Sequence, residues 1–148
     1  MEKTILLGNE AIVRGALEFG VQFVSTYPGT PASEIGDIFA KIPNLYFEYS
    51  TNEKVALEAG IGASFSGLKT LIAMKSFGLN VALDALLPFL YTGSRGPAVL
   101  VVADDPSCHS SAQSEENTRT FACLAHIPIL EPADPQECLD FTKLAFQL

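Results

Sequence analysis

Two stretches of this 148-residue chain carry side chains suited to chemistry. Tyr27-Pro28-Gly29-Thr30-Pro31 is a rigid, hydroxyl-bearing loop, and Ser50-Thr51-Asn52-Glu53-Lys54-Val55-Ala56-Leu57-Glu58 follows it. Glu53 stands at the start of an otherwise apolar helix, residues 55–65, where a carboxylate can give and recover a proton against a flat heterocyclic cofactor. Each residue also has a plainer reading. Ser50 and Glu53 have the Ser-x-x-Glu spacing of a capping box, in which the carboxylate only closes a helix start. Thr30, held between two prolines, has the type and position of an N-cap for the next helix. Lys75, at the end of a later apolar run, reads equally as a solvated edge charge. Spacing alone leaves these alternatives open.

The elements around them decide where such residues would meet. Residues 4–7 read as a strand, Asn9 as the N-cap of a helix reaching Phe19, and Gly20 as its stop. A strand over 21–26 ends at the Tyr-Pro loop. A helix over 32–41, a strand over 45–48, a buried helix over 52–66 and a strand over 70–75 follow. Next come a helix over 79–91 bent at Pro88, a strand over 98–103, a short helix over 118–124, a strand over 127–130 and a last helix over 135–148. Apolar strands without polar alternation, interleaved with helices, predict a doubly wound, mainly parallel α/β domain with helices on both faces. Ligands of such sheets bind beyond the strands' carboxyl ends, so function should be read at residues 27–31, 50–53, 75–80 and 103–119.

Composition narrows the field. The length suits one domain over 1–148, and the last amphipathic helix stops without a glycine cap or polar tail, as in a domain cut from a longer chain. Hydrophobic residues make up 48% and charged residues 18% of the chain, so apolar surface is expected to meet another domain or subunit. The small-residue ridge Ala56, Gly60, Ala63, Gly67 is expected to take a partner helix, consistent with a dimer or larger oligomer. A net charge of −8 with nine scattered Lys and Arg argues against a nucleic-acid partner. Met1-Glu2-Lys3-Thr4 lacks a signal-peptide pattern and no apolar run reaches about 18 residues. No membrane association is therefore expected, and the cytoplasm is the default compartment.

Other signatures fail. Cys108, Cys123 and Cys138 are too widely spaced for a metal knuckle or an iron–sulfur run. Gly60-Ile61-Gly62-Ala63-Ser64-Phe65 imitates a dinucleotide fingerprint but lacks the third glycine and lies inside a helix, and neither a Walker A motif nor a Gly-x-Ser-x-Gly elbow occurs. Asp104, Asp105, His109, Glu115 and Glu116 could supply hard metal ligands, although their Ser- and Asn-rich surroundings read first as a polar loop.

Five motifs then fall in one order along essentially the whole chain: Gly8-Asn9-Glu10-Ala11-Ile12, Tyr27-Pro28-Gly29-Thr30-Pro31, Ser50-Thr51-Asn52-Glu53-Lys54, Met74-Lys75-Ser76-Phe77-Gly78-Leu79-Asn80-Val81 and Ala103-Asp104-Asp105-Pro106. In that order they resemble the pyrimidine-binding module of the large (alpha) subunit of indolepyruvate ferredoxin oxidoreductases, which depend on thiamine diphosphate. The Tyr-Pro-x-Thr-Pro loop is shared with pyruvate and other 2-oxoacid ferredoxin oxidoreductases. The fourth and fifth motifs point to the aryl-pyruvate branch.

The resemblance implies that Glu53 shares a proton with N1′ of the cofactor's aminopyrimidine, promoting loss of the thiazolium C2 proton. It also implies that Tyr27, Pro28, Gly29, Phe77, Gly78 and Asn80 contact the cofactor, that Thr30 hydrogen-bonds the substrate or adduct, and that Lys75 faces the 2-oxoacid substrate. The implied reaction is oxidative decarboxylation to an acyl-coenzyme A, with electrons leaving through iron–sulfur clusters to ferredoxin. Mg²⁺ and the diphosphate need a Gly-Asp-Gly…Asn motif, and Gly36-Asp37-Ile38 lacks its second glycine. The chain is thus expected to hold half a site and no metal of its own. A diphosphate-binding module and a cluster domain, from the remaining polypeptide or a second subunit, would complete it. Two other readings stay open: a subunit of a non-oxidative 2-oxoacid decarboxylase such as sulfopyruvate decarboxylase, and a non-catalytic α/β assembly module.

Overall fold

Four short apolar stretches pair side by side in a computed structural model that describes residues 4–105, 107 and 115–148. They are β1 (Phe23–Thr26), β2 (Tyr46–Tyr49), β3 (Thr70–Lys75) and β4 (Ala98–Ala103), all parallel, in the order β2-β1-β3-β4. β3 is central and buried along nearly its whole length, as expected of a strand covered on both faces. Its period-two alternation divides the core. Leu71 and Ala73 face the side of α1 (Gly8–Phe19), α2 (Ser33–Phe39) and α6 (Pro135–Ala145), meeting Val13, Ala16, Ile35, Phe39 and Phe146. Ile72 and Met74 face the side of α3 (Glu53–Phe65) and α4 (Ser76–Thr92), meeting Ala56, Leu57, Leu79, Ala82 and Leu86. A short α5 (Arg119–Ala125) adds Phe121 to that second cluster.

The chain runs from β1 outward to β2, then returns past β1 to β3 and on to β4. That reversal makes the space beyond the carboxyl ends of β1 and β3 the topological switch point, where an open α/β sheet binds ligands. Thr26 at the end of β1 pairs in register with Ala73 of β3, so the loops leaving both strands emerge together.

Several elements differ from the sequence reading. Residues 4–7 and 127–130 are not strands: they lie outside the sheet, with Ile5 99% and Ile129 47% exposed. Their apolar composition suits a strand, but a strand exists only through a partner's hydrogen bonds, which propensity does not supply. α1 begins one residue before Asn9, with Leu7 at its cap position and the Glu10 carboxylate accepting from the Leu7 N–H at 2.7 Å. Asn9 is therefore not the cap. α4 starts at Ser76, earlier than expected, and continues through Pro88 to Thr92.

The ridge Ala56, Gly60, Ala63 is likewise not a docking face. It is buried in the domain's own core, and a β-carbon on Gly60 would stand 2.5 Å from Ile72 Cγ1. Gly67 lies beyond the helix in left-handed backbone, and the exposed positions of α3 are Val55, Glu58, Gly62 and Phe65. Among the described residues no helix is long and apolar enough to cross a membrane.

Candidate cofactor site

The loop leaving β1 packs against the end of β3. A β-carbon on Gly29 would come 2.9 Å from Lys75 Cβ, so only a glycine lets the loop lie this close. The Lys75 ammonium in turn stands 5.4 Å from the centroid of the Phe77 ring, a cation–π distance. Tyr27 is half-buried, and its N–H donates to the Ala73 carbonyl at 3.4 Å, while Pro28 and Thr30 are exposed. α2 is capped by Ala32 without a side-chain bond, so Thr30 does not serve as that helix's N-cap. The Thr30–Pro31 peptide is cis. The tether of this loop was invisible in the sequence: Asn9 Nδ2 of α1 donates to the Pro31 carbonyl at 3.0 Å and to Glu34 Oε2 at 2.8 Å.

Glu53 is the first residue of α3. The cap is Asn52, whose Oδ1 accepts from the Val55 N–H at 2.9 Å, while the Ser50 hydroxyl donates to Glu48 Oε1 at 2.9 Å. The Ser50–Glu53 capping box is therefore not built, and helix closure does not explain Glu53. Its half-buried side chain lies against the backbone of Gly78, in the first turn of α4. A β-carbon on Gly78 would stand 2.3 Å from Glu53 Cγ and 2.9 Å from Oε1. Two helix N-termini, of α3 and α4, thus lie beside this carboxylate, where their dipoles favour negative charge. The exposed pair of Lys54 and Asp84 joins the same two helices, and each ion draws its partner further toward the charged form.

The fold therefore joins Gly29, Lys75, Phe77, Gly78 and Glu53 into one continuous patch at the switch point, with Asn80 exposed within the first two turns of α4. At the end of β4 the arrangement is different in kind. Asp104 Oδ2 accepts from both the N–H and the hydroxyl of Thr118, at 3.2 and 2.9 Å, which anchors the start of α5. Arg119 pairs with Glu131 at 2.6 Å. His109 and Cys108 lie outside the described residues, and among those described no three His, Cys, Asp or Glu side chains gather as a metal site.

The sheet is parallel in the order 2-1-3-4, and the Glu53 carboxylate lies across the start of α4 at its switch point. Residues 14–148 match the family "Pyruvate flavodoxin/ferredoxin oxidoreductase, thiamine diP-bdg", and the chain belongs to that thiamine diphosphate-binding family. It is 52% identical to indolepyruvate oxidoreductase subunit IorA of Pyrococcus horikoshii and 53% identical to that of Methanothermobacter thermautotrophicus, each over 99% of this chain. It is 30% identical to 2-oxoglutarate synthase subunit KorA of the latter organism, over 99% of this chain and 41% of that one. Among solved structures, the 2-oxoglutarate:ferredoxin oxidoreductase of Magnetococcus marinus superposes on 97% of the chain with a TM-score of 0.81 at 21% identity, using 26% of its own length. A thiamine diphosphate-dependent 4-hydroxybenzoylformate decarboxylase of Rhodococcus jostii gives 0.70 at 17% identity, over 95% of this chain and 27% of that one. The chain spans only 23–24% of the indolepyruvate oxidoreductase subunits it matches.

Proposed function

We propose that this chain is the pyrimidine-binding half of a thiamine diphosphate-dependent 2-oxoacid ferredoxin oxidoreductase acting on aryl pyruvates such as indolepyruvate. The observation that carries the reading is the Glu53 carboxylate resting on Gly78 at the switch point, in a chain half identical to indolepyruvate oxidoreductase subunits along nearly its full length. The residues present fit the cofactor's pyrimidine end: a half-buried carboxylate can meet a ring nitrogen, and the β-carbon-free floor beneath it keeps the site flat. Bound thiamine diphosphate supplies a carbon nucleophile that holds the electrons released when carbon dioxide leaves a 2-oxoacid.

The chain's own residues have three tasks in this reading. Glu53 holds a proton at the pyrimidine N1′ and takes it back, which general acid–base catalysis requires of a carboxylate within hydrogen-bond reach. Tyr27, Pro28, Gly29, Phe77, Gly78 and Asn80 wall the pyrimidine. Thr30 donates a hydrogen bond to the 2-oxoacid, and Lys75 attracts its carboxylate across the site. Mg²⁺ and the diphosphate belong to a further module, since Gly36-Asp37-Ile38 lacks the required second glycine. Iron–sulfur clusters, ferredoxin and coenzyme A likewise meet parts of the enzyme beyond these residues. The assembled enzyme is cytoplasmic and contains at least two subunits.

Glu53→Gln in the full-length enzyme tests this. The amide keeps the size that packs on Gly78, so the melting temperature should stay within a few degrees while turnover falls by about 10²- to 10⁴-fold. Turnover at the parental level would remove Glu53 from the mechanism. The isolated residues 1–148 should bind thiamine diphosphate weakly in calorimetry with or without Mg²⁺, and tight Mg²⁺-dependent binding would contradict the half-site reading.

A further inference from the structure

We infer that Asn9 is a positioning residue for Thr30, fixing the loop after β1 through the Pro31 carbonyl. The inference rests on the functional reading above only for what Thr30 does; the tether itself is visible in the fold. Pro31 has no N–H, so the residue after Thr30 can be hydrogen-bonded only through its carbonyl. That carbonyl receives one N–H of the Asn9 amide at 3.0 Å, and the amide's second N–H goes to Glu34 Oε2 at 2.8 Å. The Asn9 side chain thus joins α1, the loop and the first turn of α2.

On the other side of Thr30, Gly29 rests on Lys75, and its carbonyl accepts from the Ala32 N–H at 2.7 Å. Thr30 is therefore an exposed hydroxyl between two anchors, one on β3 and one on α1. α1 is a firm support, because it packs along α6, with Phe19 stacked on Phe146 at 4.9 Å and Lys143 paired with Glu18 at 2.6 Å. An aspartate at position 9 would keep the shape but have no N–H to donate. In this inference Asn9 acts through the loop.

The test uses the full-length holoenzyme with indolepyruvate and ferredoxin reduction as the readout. Asn9→Ala should lower kcat about 10- to 100-fold, the scale of a misplacement near 1 Å. In a Thr30→Ala background the same change should add less than about twofold, because the group being positioned is already gone. A full multiplicative effect in the double variant would overturn the inference. Independently of turnover, amide exchange of the apo-enzyme should quicken in the peptide covering 27–35 and stay unchanged in that covering 53–65. Unchanged exchange at 27–35 would equally overturn it.

A second variant separates the two bonds. Asn9→Asp with Glu34→Gln restores the link between positions 9 and 34 with donor and acceptor exchanged, yet leaves the Pro31 carbonyl without an N–H. It should remain as slow as Asn9→Ala, and recovery of the parental rate would show that the Pro31 bond is not what positions Thr30. Were Glu53→Gln fully active, the proposed reaction would fail, whereas the exchange result would still decide the tether.

Discussion

α3 makes two close approaches with opposite meanings. At its first turn Glu53 lies across Gly78 of α4, and two turns later its own Gly60 lies across Ile72 of β3. The device is the same in both places: a missing β-carbon lets another residue come nearer than alanine would allow. What differs is the visitor. At Gly78 it is a half-buried carboxylate at the rim of the sheet, and at Gly60 it is an isoleucine sealed in the core. A small residue therefore reports that something comes close, and under the proposed function the chemistry of what comes close separates site from packing.

Gly78→Ala attacks the first approach and should have the larger effect. The added methyl would overlap Glu53 Cγ, which it would meet at 2.3 Å, so the carboxylate must swing away from α4. Turnover of the full-length enzyme, measured on folded protein, is expected to fall about 100-fold. Near-parental turnover would mean that the Gly78 floor does not set the position of Glu53, and the contrast between the two glycines would dissolve.

Gly60→Leu attacks the second. Overpacking against Ile72 should destabilise the protein by roughly 1–3 kcal/mol in urea unfolding, while turnover per folded molecule stays at the parental level. Combined with Ile72→Ala, it should cost less than the two single changes added together, since each relieves the other. If Gly60→Leu instead left stability intact and dissociated the assembled enzyme, the ridge would be a docking face after all.

The smallest effect sharpens the comparison at the neighbouring strand end. Tyr49 donates its hydroxyl to Asp37 at 2.7 Å, and burial, reinforced by that carboxylate, pushes its pKa up to about 12. Unfolded tyrosine titrates near about 10. The folded value is the higher one, so the contribution to stability is complete below pH about 10 and is lost as pH rises through about 12. The urea midpoint should therefore fall across that window, and fall less steeply in Tyr49→Phe. Equal slopes would show that the Tyr49–Asp37 contact does not couple to folding.

The inner strands of the sheet were legible because burial on two faces imposes a composition. Residues 70–75 and 98–103 appear where the apolar runs put them, as β3 and β4. Residues 4–7 and 127–130 carry the same signal without forming strands, because a strand's hydrogen bonds belong to a partner that its own residues do not encode. Helix interiors were legible for a similar reason, and so was the start of the last helix at Pro135, whereas the capping side chains of α1, α2 and α3 were not. Asn9, Ser50 and Thr30 each have a capping residue's chemistry, yet the caps are Leu7, Asn52 and Ala32. A capping side chain needs only a nearby donor, and tertiary neighbours compete for it: Asn9 goes to Pro31 and Glu34, and Ser50 goes to Glu48.

By itself the sequence determined the alternation of strands and helices, the identity of the carboxylate at residue 53 and the motif order that marks the family, since these depend on residue type and local spacing. Only the tertiary structure decided what those residues face. Whether Glu53 closes a helix or lies on Gly78, whether the ridge on α3 meets a partner or Ile72, and whether Asn9 caps α1 or holds the loop before α2 are all settled by residues distant in sequence. Such contacts arise when the crossovers fold the chain back on itself, and a spacing rule confined to one segment carries no record of them.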